Sequence, residues 1–377
     1  MRILYLLPSL GVGGAEKQAL ATAERMEARG HTVAVVTLLP RLADEWPTGV
    51  RVESCDVRKN PLSVLAGLFR ARRLLRQFQP DLIHSHSYPA NLFARLLRLL
   101  VPDVVAISTV HNVYEGGWVR MAAYRLSDGL SRRTVAVSEA ARERFVRLKA
   151  VPAAKCRVIL NGIDENEYLP EVERRRQMRA EMGVKAGGDF VWISTGRIAP
   201  AKDYPNLLRA FALARRQIPV ARLWVAGGDP HRGLPALQQL AGDLGIGDAV
   251  EWLGLRRDLP ALLDAADAFV MGSAWEGMPL AVGEAMAMAK PVVVTDVGGV
   301  RELVGEAGVV VEARNPAALA GAMTATMNMS EEERAALGRA ARERIAARFS
   351  MDATAEAWEA LYREVLAERR NSAPARS

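Results

Sequence analysis

Two glutamates eight residues apart, Glu276 and Glu284, enclose the sequence Gly277-Met278-Pro279-Leu280. Proline is tolerated at the first helical position because its missing N–H would be unpaired there anyway. Pro279 is therefore expected to open a helix whose free amides face the Gly277 loop. Such amides attract phosphate or developing negative charge. Carboxylates on either side of that anion accept hydrogen bonds from hydroxyls, as a sugar and a ribose flanking a diphosphate require. Two glutamates alone are weak evidence, since glutamate is a common and usually solvated helix former.

A second constellation strengthens the first. Val191-Trp192-Ile193-Ser194-Thr195 reads as a buried strand running into Gly196-Arg197-Ile198-Ala199-Pro200-Ala201-Lys202. A strand ending in a basic loop is where α/β folds bind ligands. Arg197 offers a planar fork for phosphate and Lys202 a mobile point charge. The bland reading is two exposed cations beside a turn.

These residues, with Gly13-Gly14-Ala15-Glu16 and Asn161-Gly162-Ile163-Asp164, appear in an order that resembles the retaining GT-B glycosyltransferases of family 4. The resemblance covers nearly the whole chain. It implies two Rossmann-like domains facing each other across a deep crevice that closes on its substrates. It places Gly14 beside the donor diphosphate and the acceptor, and His111 beside the donor sugar. There His111 donates to a hydroxyl and turns its backbone carbonyl to the anomeric carbon. Glu276 becomes the sugar contact and Glu284 the ribose contact. Gly196, Gly277, Met278, Pro279 and Leu280 join the donor site, and Leu255 the base loop.

The residues support this independently in part. Gly11-Val12-Gly13-Gly14 is a glycine-rich turn before a helix, but Ala15-Glu16 breaks the GxGxxG spacing a nicotinamide site needs. Glu16 is expected in the first helical turn, where its charge suits the dipole. His111 ends an apolar run, where catalytic groups collect in such sheets. His84 and His86 are spaced i, i+2 without a third ligand, so His84 is expected to be packed and His86 to contact the acceptor. His31 is expected after the first helix and His231 in an exposed loop. No metal-binding pattern or DxD-type motif is present in the sequence, and no cofactor is expected.

Strand candidates at 3–7, 32–38, 50–53, 81–84, 104–110 and 134–137 alternate with helical segments, and the pattern restarts at 190–195, 222–226, 249–253, 268–271, 291–295 and 309–311. Such alternation argues for parallel sheets. The expected domains are 1–166 for the acceptor and 167–350 for the donor. A helix over 351–369 should pack back on the first domain, followed by a frayed tail over 371–377. Of 377 residues half are hydrophobic, enough for two sizeable cores. Cys55 and Cys156 lie far apart, which fits a reducing cytoplasm.

Residues 1–166 hold 24 Lys and Arg against 15 Asp and Glu, whereas the remainder holds 26 against 28. The basic half contains arginine-studded helical segments at 68–76 and 91–100 that suit anionic lipid. Their bland reading is as sheet-covering helices with arginines at the solvent rim. No stretch is long and apolar enough for a membrane span. A cytoplasmic protein, peripheral on the inner face of the membrane, is the expectation. Aromatics are 6% and do not interleave with the cations, which argues against single-stranded nucleic acid.

The chemistry implied is metal-independent transfer of a hexosyl group from a nucleotide diphosphate sugar. UDP is favoured over GDP, and the acceptor is expected to be a lipid-linked saccharide in bacterial polysaccharide or glycan assembly. No carboxylate is marked as a nucleophile, so a front-face route is expected. The alternatives are a sugar-nucleotide epimerase on the same architecture and a non-catalytic sugar-nucleotide binding module.

Overall fold

The computed structural model describes residues 1–11, 13–41, 48–58, 60–185 and 188–372. Val12 of the glycine-rich turn and most of the expected frayed tail lie outside them. The chain divides into two compact units, Met1–Gly162 with Met351–Ser377, and Ile163–Ser350. The join thus falls at 162/163 rather than at 166/167.

The first unit is a seven-stranded parallel sheet in the order β3-β2-β1-β4-β5-β6-β7. Its strands are β1 (Arg2–Leu7), β2 (Thr32–Thr37), β3 (Val52–Ser54), β4 (Leu82–His86), β5 (Val105–Val110), β6 (Arg133–Ala136) and β7 (Cys156–Val158). Helices α1 (Gly14–Ala28), α2 (Pro61–Phe78), α3 (Ser87–Leu100), α4 (Trp118–Leu126) and α5 (Glu139–Arg147) connect them. Because side chains alternate across a strand, each strand feeds two cores. Ile3, Tyr5, Leu7, Val35, Ile107 and Val135 pack with Leu20 and Met26 of α1. Leu4, Leu6 and Ile83 pack with Leu75 of α2 and Phe93 and Leu97 of α3.

The expected return helix is the last helix of this unit, Met351–Ser372, whose Trp358, Leu361, Tyr362 and Val365 belong to the α1-side core. Its outer edge is tied down by Glu364 and Glu368, which pair with Arg133, and by Glu359, which takes Arg29 at 2.7 Å. Hydrogen bonds from Arg363 and Arg29 hold the Glu359 carboxyl down at about 2.

α3 covers the sheet as the bland reading expected, but Arg95 lies neither at the solvent rim nor on a lipid-facing surface. It is fully buried, donating to the Tyr124 carbonyl at 2.9 Å and to Ser127 and Thr134 at 3.0 Å. Its role is to satisfy buried oxygens behind β5. The outward face of α2 does carry exposed Leu62, Leu65 and Phe69 ahead of exposed Arg73 and Arg76.

The second unit has six parallel strands in the order β10-β9-β8-β11-β12-β13. They are β8 (Phe190–Thr195), β9 (Ala221–Ala226), β10 (Val250–Gly254), β11 (Ala268–Met271), β12 (Val292–Thr295) and β13 (Val309–Val311). The site-bearing helices are α7 (Tyr204–Gln217) and α10 (Leu280–Ala287); in the structure's chain order, α6 (Val172–Glu181), α8 (Leu234–Asp243) and α9 (Leu259–Ala265) lie around them. The strands are apolar almost throughout because both faces are covered. No described helix in either unit is long and apolar enough to cross a membrane.

Candidate active site

In the second unit the chain winds outward from β8 to β9 and β10, then returns to place β11 on the other side of β8. At such a reversal the loops leaving adjacent parallel strands diverge and open a ligand crevice. The two loops flanking it are 196–203, after β8, and 272–279, after β11. These are the two segments singled out in the sequence.

The loops are held together by polar contacts. Lys202 Nζ lies 2.7 Å from Glu276 Oε1, and Ser273 donates to the same oxygen at 2.8 Å. Ala274 N–H donates to the Ala201 carbonyl at 2.8 Å. Glu276 Oε2 has no partner among the described residues, so one carboxylate oxygen is restrained and the other is open. Arg197 is exposed and makes no ion pair among them.

Glycines allow the surrounding backbones to touch. A Cβ on Gly298 would lie 2.1 Å from the Glu276 carbonyl oxygen, at a φ of +56° that already disfavours side chains. The neighbouring Gly299 N–H donates to the Gly277 carbonyl at 2.7 Å. A Cβ on Gly227 would lie 1.9 Å from the Gly196 carbonyl, which also accepts from the Tyr204 hydroxyl at 2.7 Å. Gly298, Gly299, Gly227 and Tyr204 were not singled out in the sequence. The glycine pairs 227–228 and 298–299, each following a strand, were the available signal.

Pro279 is not the first helical residue. It is the N-cap of α10, with φ −74° and ψ 110°, and the helix begins at Leu280. Its ring fixes the approach to the helix, and its carbonyl accepts from Val282 N–H at 3.2 Å. The free donors are thus the amides of Leu280 and Ala281. Met278 and Glu284 are buried, and the Tyr168 hydroxyl hydrogen-bonds Glu284. Leu255 is exposed after β10, two strands from β8, and Arg256 beside it is committed to Asp258 at 2.7 Å.

In the first unit Gly14 opens α1 and Glu16 lies in its first turn. His111 follows β5 directly. Its ring Nε2 lies 2.9 Å from His86 Nδ1, and its backbone N–H donates to Glu115 Oε1 at 3.0 Å. The other Glu115 oxygen accepts from Tyr124 at 2.7 Å, and Tyr124 in turn accepts from Asn91 at 2.9 Å. Burial pushes the Glu115 carboxyl up to about 7 and the His111 imidazole down to about 4. His86, expected at the acceptor, is buried against His111. His84 is packed, bonding Tyr362 at 2.6 Å and Thr109 at 2.7 Å. Glu115, Tyr124 and Asn91 were missed in the sequence; Glu115, four residues after His111 in a glycine-rich loop, was the one visible cue.

Two parallel-sheet α/β units of this kind make up the GT-B glycosyltransferase fold. Residues 177–344 match the family described as glycosyl transferases group 1, and residues 12–167 match glycosyltransferase family 4. The chain belongs to this family. It is 32% identical to the D-inositol 3-phosphate glycosyltransferase of Saccharomonospora viridis, over 82% of this chain and 75% of that one. It is 26% identical to the Escherichia coli UDP-Gal:alpha-D-GlcNAc-diphosphoundecaprenol alpha-1,3-galactosyltransferase, over 62% of either chain. Among solved structures, Anabaena HepE in complex with UDP and glucose superposes with a TM-score of 0.84 at 21% identity, over 97% of this chain and all of that one. Sucrose-phosphate synthase from Thermosynechococcus elongatus gives 0.84 at 21%, over 98% of this chain and all of that one.

Proposed function

We propose that this protein transfers a hexosyl group, with retention and without a metal, from a UDP-sugar to a hydroxyl of a lipid-linked saccharide. A GDP-sugar is the next candidate donor. The observation that carries the reading is the Lys202–Glu276 pair between the two loops at the strand-order reversal. It holds a cation against a restrained carboxylate in the loop that leads into α10.

In this reading Arg197, Lys202 and the amides of Leu280 and Ala281 stabilise the diphosphate as it leaves. Glu276 Oε2 accepts from a sugar hydroxyl, Glu284 from the ribose, and the Leu255 loop takes the base. Gly196 and Gly277 let the backbone approach, while Met278 and Pro279 shape the pocket wall. Gly14 adjoins the diphosphate, and His111 donates to a sugar hydroxyl. The departing phosphate removes the acceptor proton, so the protein supplies position and charge rather than a nucleophile.

UDP and a lipid-linked acceptor are supported by the Escherichia coli relative, whose name specifies both. The exposed Leu62, Leu65 and Phe69, backed by Arg73 and Arg76, suit shallow contact with an anionic bilayer.

The test is calorimetric titration of UDP and GDP in EDTA, on wild type, Arg197→Ala and Glu284→Ala. Metal-independent binding of UDP, weakened by both substitutions, is expected. Absence of binding by either nucleotide would remove the donor assignment. Turnover is then compared on a diphosphoundecaprenol-linked sugar and on inositol phosphate. Turnover on inositol phosphate alone refutes the lipid-linked acceptor, and binding without any turnover would leave a sugar-nucleotide binding module.

A further inference from the structure

His86 Nδ1 and His111 Nε2 lie 2.9 Å apart, with their rings stacked at 27°. Around them are Tyr5, His84, Trp358 and Tyr362, a mostly aromatic environment closed by the last helix. Burial depresses the basicity of all three imidazoles, so each is neutral at pH 7. Two neutral imidazoles meeting nitrogen to nitrogen have one proton between them, and one ring must donate it.

The direction follows from the far nitrogen of His86. Nε2 is buried and has no partner among the described residues. If His111 donated, His86 would accept at Nδ1 and carry its own proton at Nε2, burying an N–H with nothing to receive it. If His86 donates, Nε2 keeps only a lone pair. An orphaned buried donor is the rarer and costlier arrangement. His86 therefore donates, His111 accepts at Nε2, and the His111 proton resides on Nδ1. That nitrogen has no protein partner among the described residues, and His111 is only half-buried.

We propose that His86 is a positioning residue that fixes His111 as the Nδ1–H tautomer, so that the ring edge offered to a ligand is a hydrogen-bond donor. The consequence for transfer rests on the reading of His111 as a sugar contact; the tautomer itself does not. A neutral donor serves a sugar hydroxyl without setting a full positive charge beside a carbon that becomes cationic.

The test is long-range 1H–15N correlation of the imidazoles in the full-length 15N-labelled protein without ligand at pH 7, assigned with His86→Asn and His111→Ala. His111 is expected to show a protonated Nδ1 and a bare Nε2; the reverse pattern overturns the proposal. The kinetic counterpart compares His86→Asn, whose amide can still donate, with His86→Leu, which cannot. With UDP affinity unchanged, His86→Asn should hold kcat within about threefold and His86→Leu should lose on the order of tenfold or more. Equal loss in both variants overturns the proposal. If His111→Ala leaves kcat intact while the wild-type tautomer is as stated, only the sugar-contact reading fails.

Discussion

Lys202 Nζ and Glu276 Oε1, brought to 2.7 Å from positions 74 residues apart in sequence, form a partly buried ion pair at the strand-order reversal of the second unit. Each partner fixes the other's rotamer, so the pair is organised before a ligand arrives. Lys202→Ala should therefore leave Glu276 held by Ser273 alone, as well as remove a cation. We expect turnover to fall by about 10² to 10³, the scale of one preorganised charge-stabilising group. Stability should fall by only about 1 kcal/mol, because Ser273 still holds the carboxylate. Steady-state kinetics alongside thermal denaturation separates the two effects.

Gly298→Ala tests whether the Glu276 loop is braced from below. The new Cβ would meet the Glu276 carbonyl at 2.1 Å in a left-handed backbone conformation. We expect a loss of about 2 kcal/mol or more in stability, together with weaker UDP binding. Gly242→Ala, in helix α8 with open space around its Cβ, is the control and should not destabilise. Unchanged UDP affinity in Gly298→Ala would show that the brace is not needed for binding.

The Glu115–His111 corner should conceal a pH dependence. Glu115 is raised from 4.5 to about 7, so the folded state holds its proton more tightly and stability falls as pH rises through that window. His111 is lowered from 6.5 to about 4, so the unfolded state binds the extra proton and stability rises between those values. Each amounts to about 3 kcal/mol, and the signs oppose. Glu115→Gln removes one side, so its stability should climb more steeply than wild type between pH 4.5 and 6.5. Urea unfolding across that range reads the slope, and parallel curves would refute the assignment.

Tyr362→Phe isolates the polar centre beneath the last helix. The hydroxyl bonds both His84 Nδ1 at 2.6 Å and Tyr5 at 3.1 Å in a fully buried setting. Its removal strands two polar groups and should cost about 2 to 3 kcal/mol. Chemical denaturation with a change in midpoint and an unchanged slope would check this.

The proposed bilayer contact predicts that wild type sediments with anionic vesicles and that a triple Leu62→Ser, Leu65→Ser, Phe69→Ser variant does not, while keeping UDP affinity. Equal sedimentation of variant and wild type would remove α2 as the contact.

Much of this architecture was legible because parallel strands buried on both faces are written as continuous apolar runs. Phe190–Thr195, Ala268–Met271 and Val309–Val311 match their expected limits residue for residue. β7 was missed because Cys156-Arg157-Val158 is a three-residue edge strand with an exposed arginine at its centre. The candidate site was legible as two loops, since glycine next to charge after an apolar run marks a strand end. Side-chain pairing was not legible. Nothing local tells Lys202 to choose Glu276, or distinguishes buried Arg95 from the exposed arginines of α2, because those choices depend on which oxygens the other elements leave unsatisfied.

The helix Met351–Ser372 completes a core whose other members lie before residue 163. During synthesis, the first sheet must therefore wait with one apolar face covered only in part, by α1, while nearly two hundred further residues are made. The second unit, continuous in sequence, needs no such delay, so of the two units the one begun earlier is completed later. Loss of a few C-terminal turns would accordingly injure the N-terminal sheet, and a stalled ribosome would display a half-built domain for chaperones to shield.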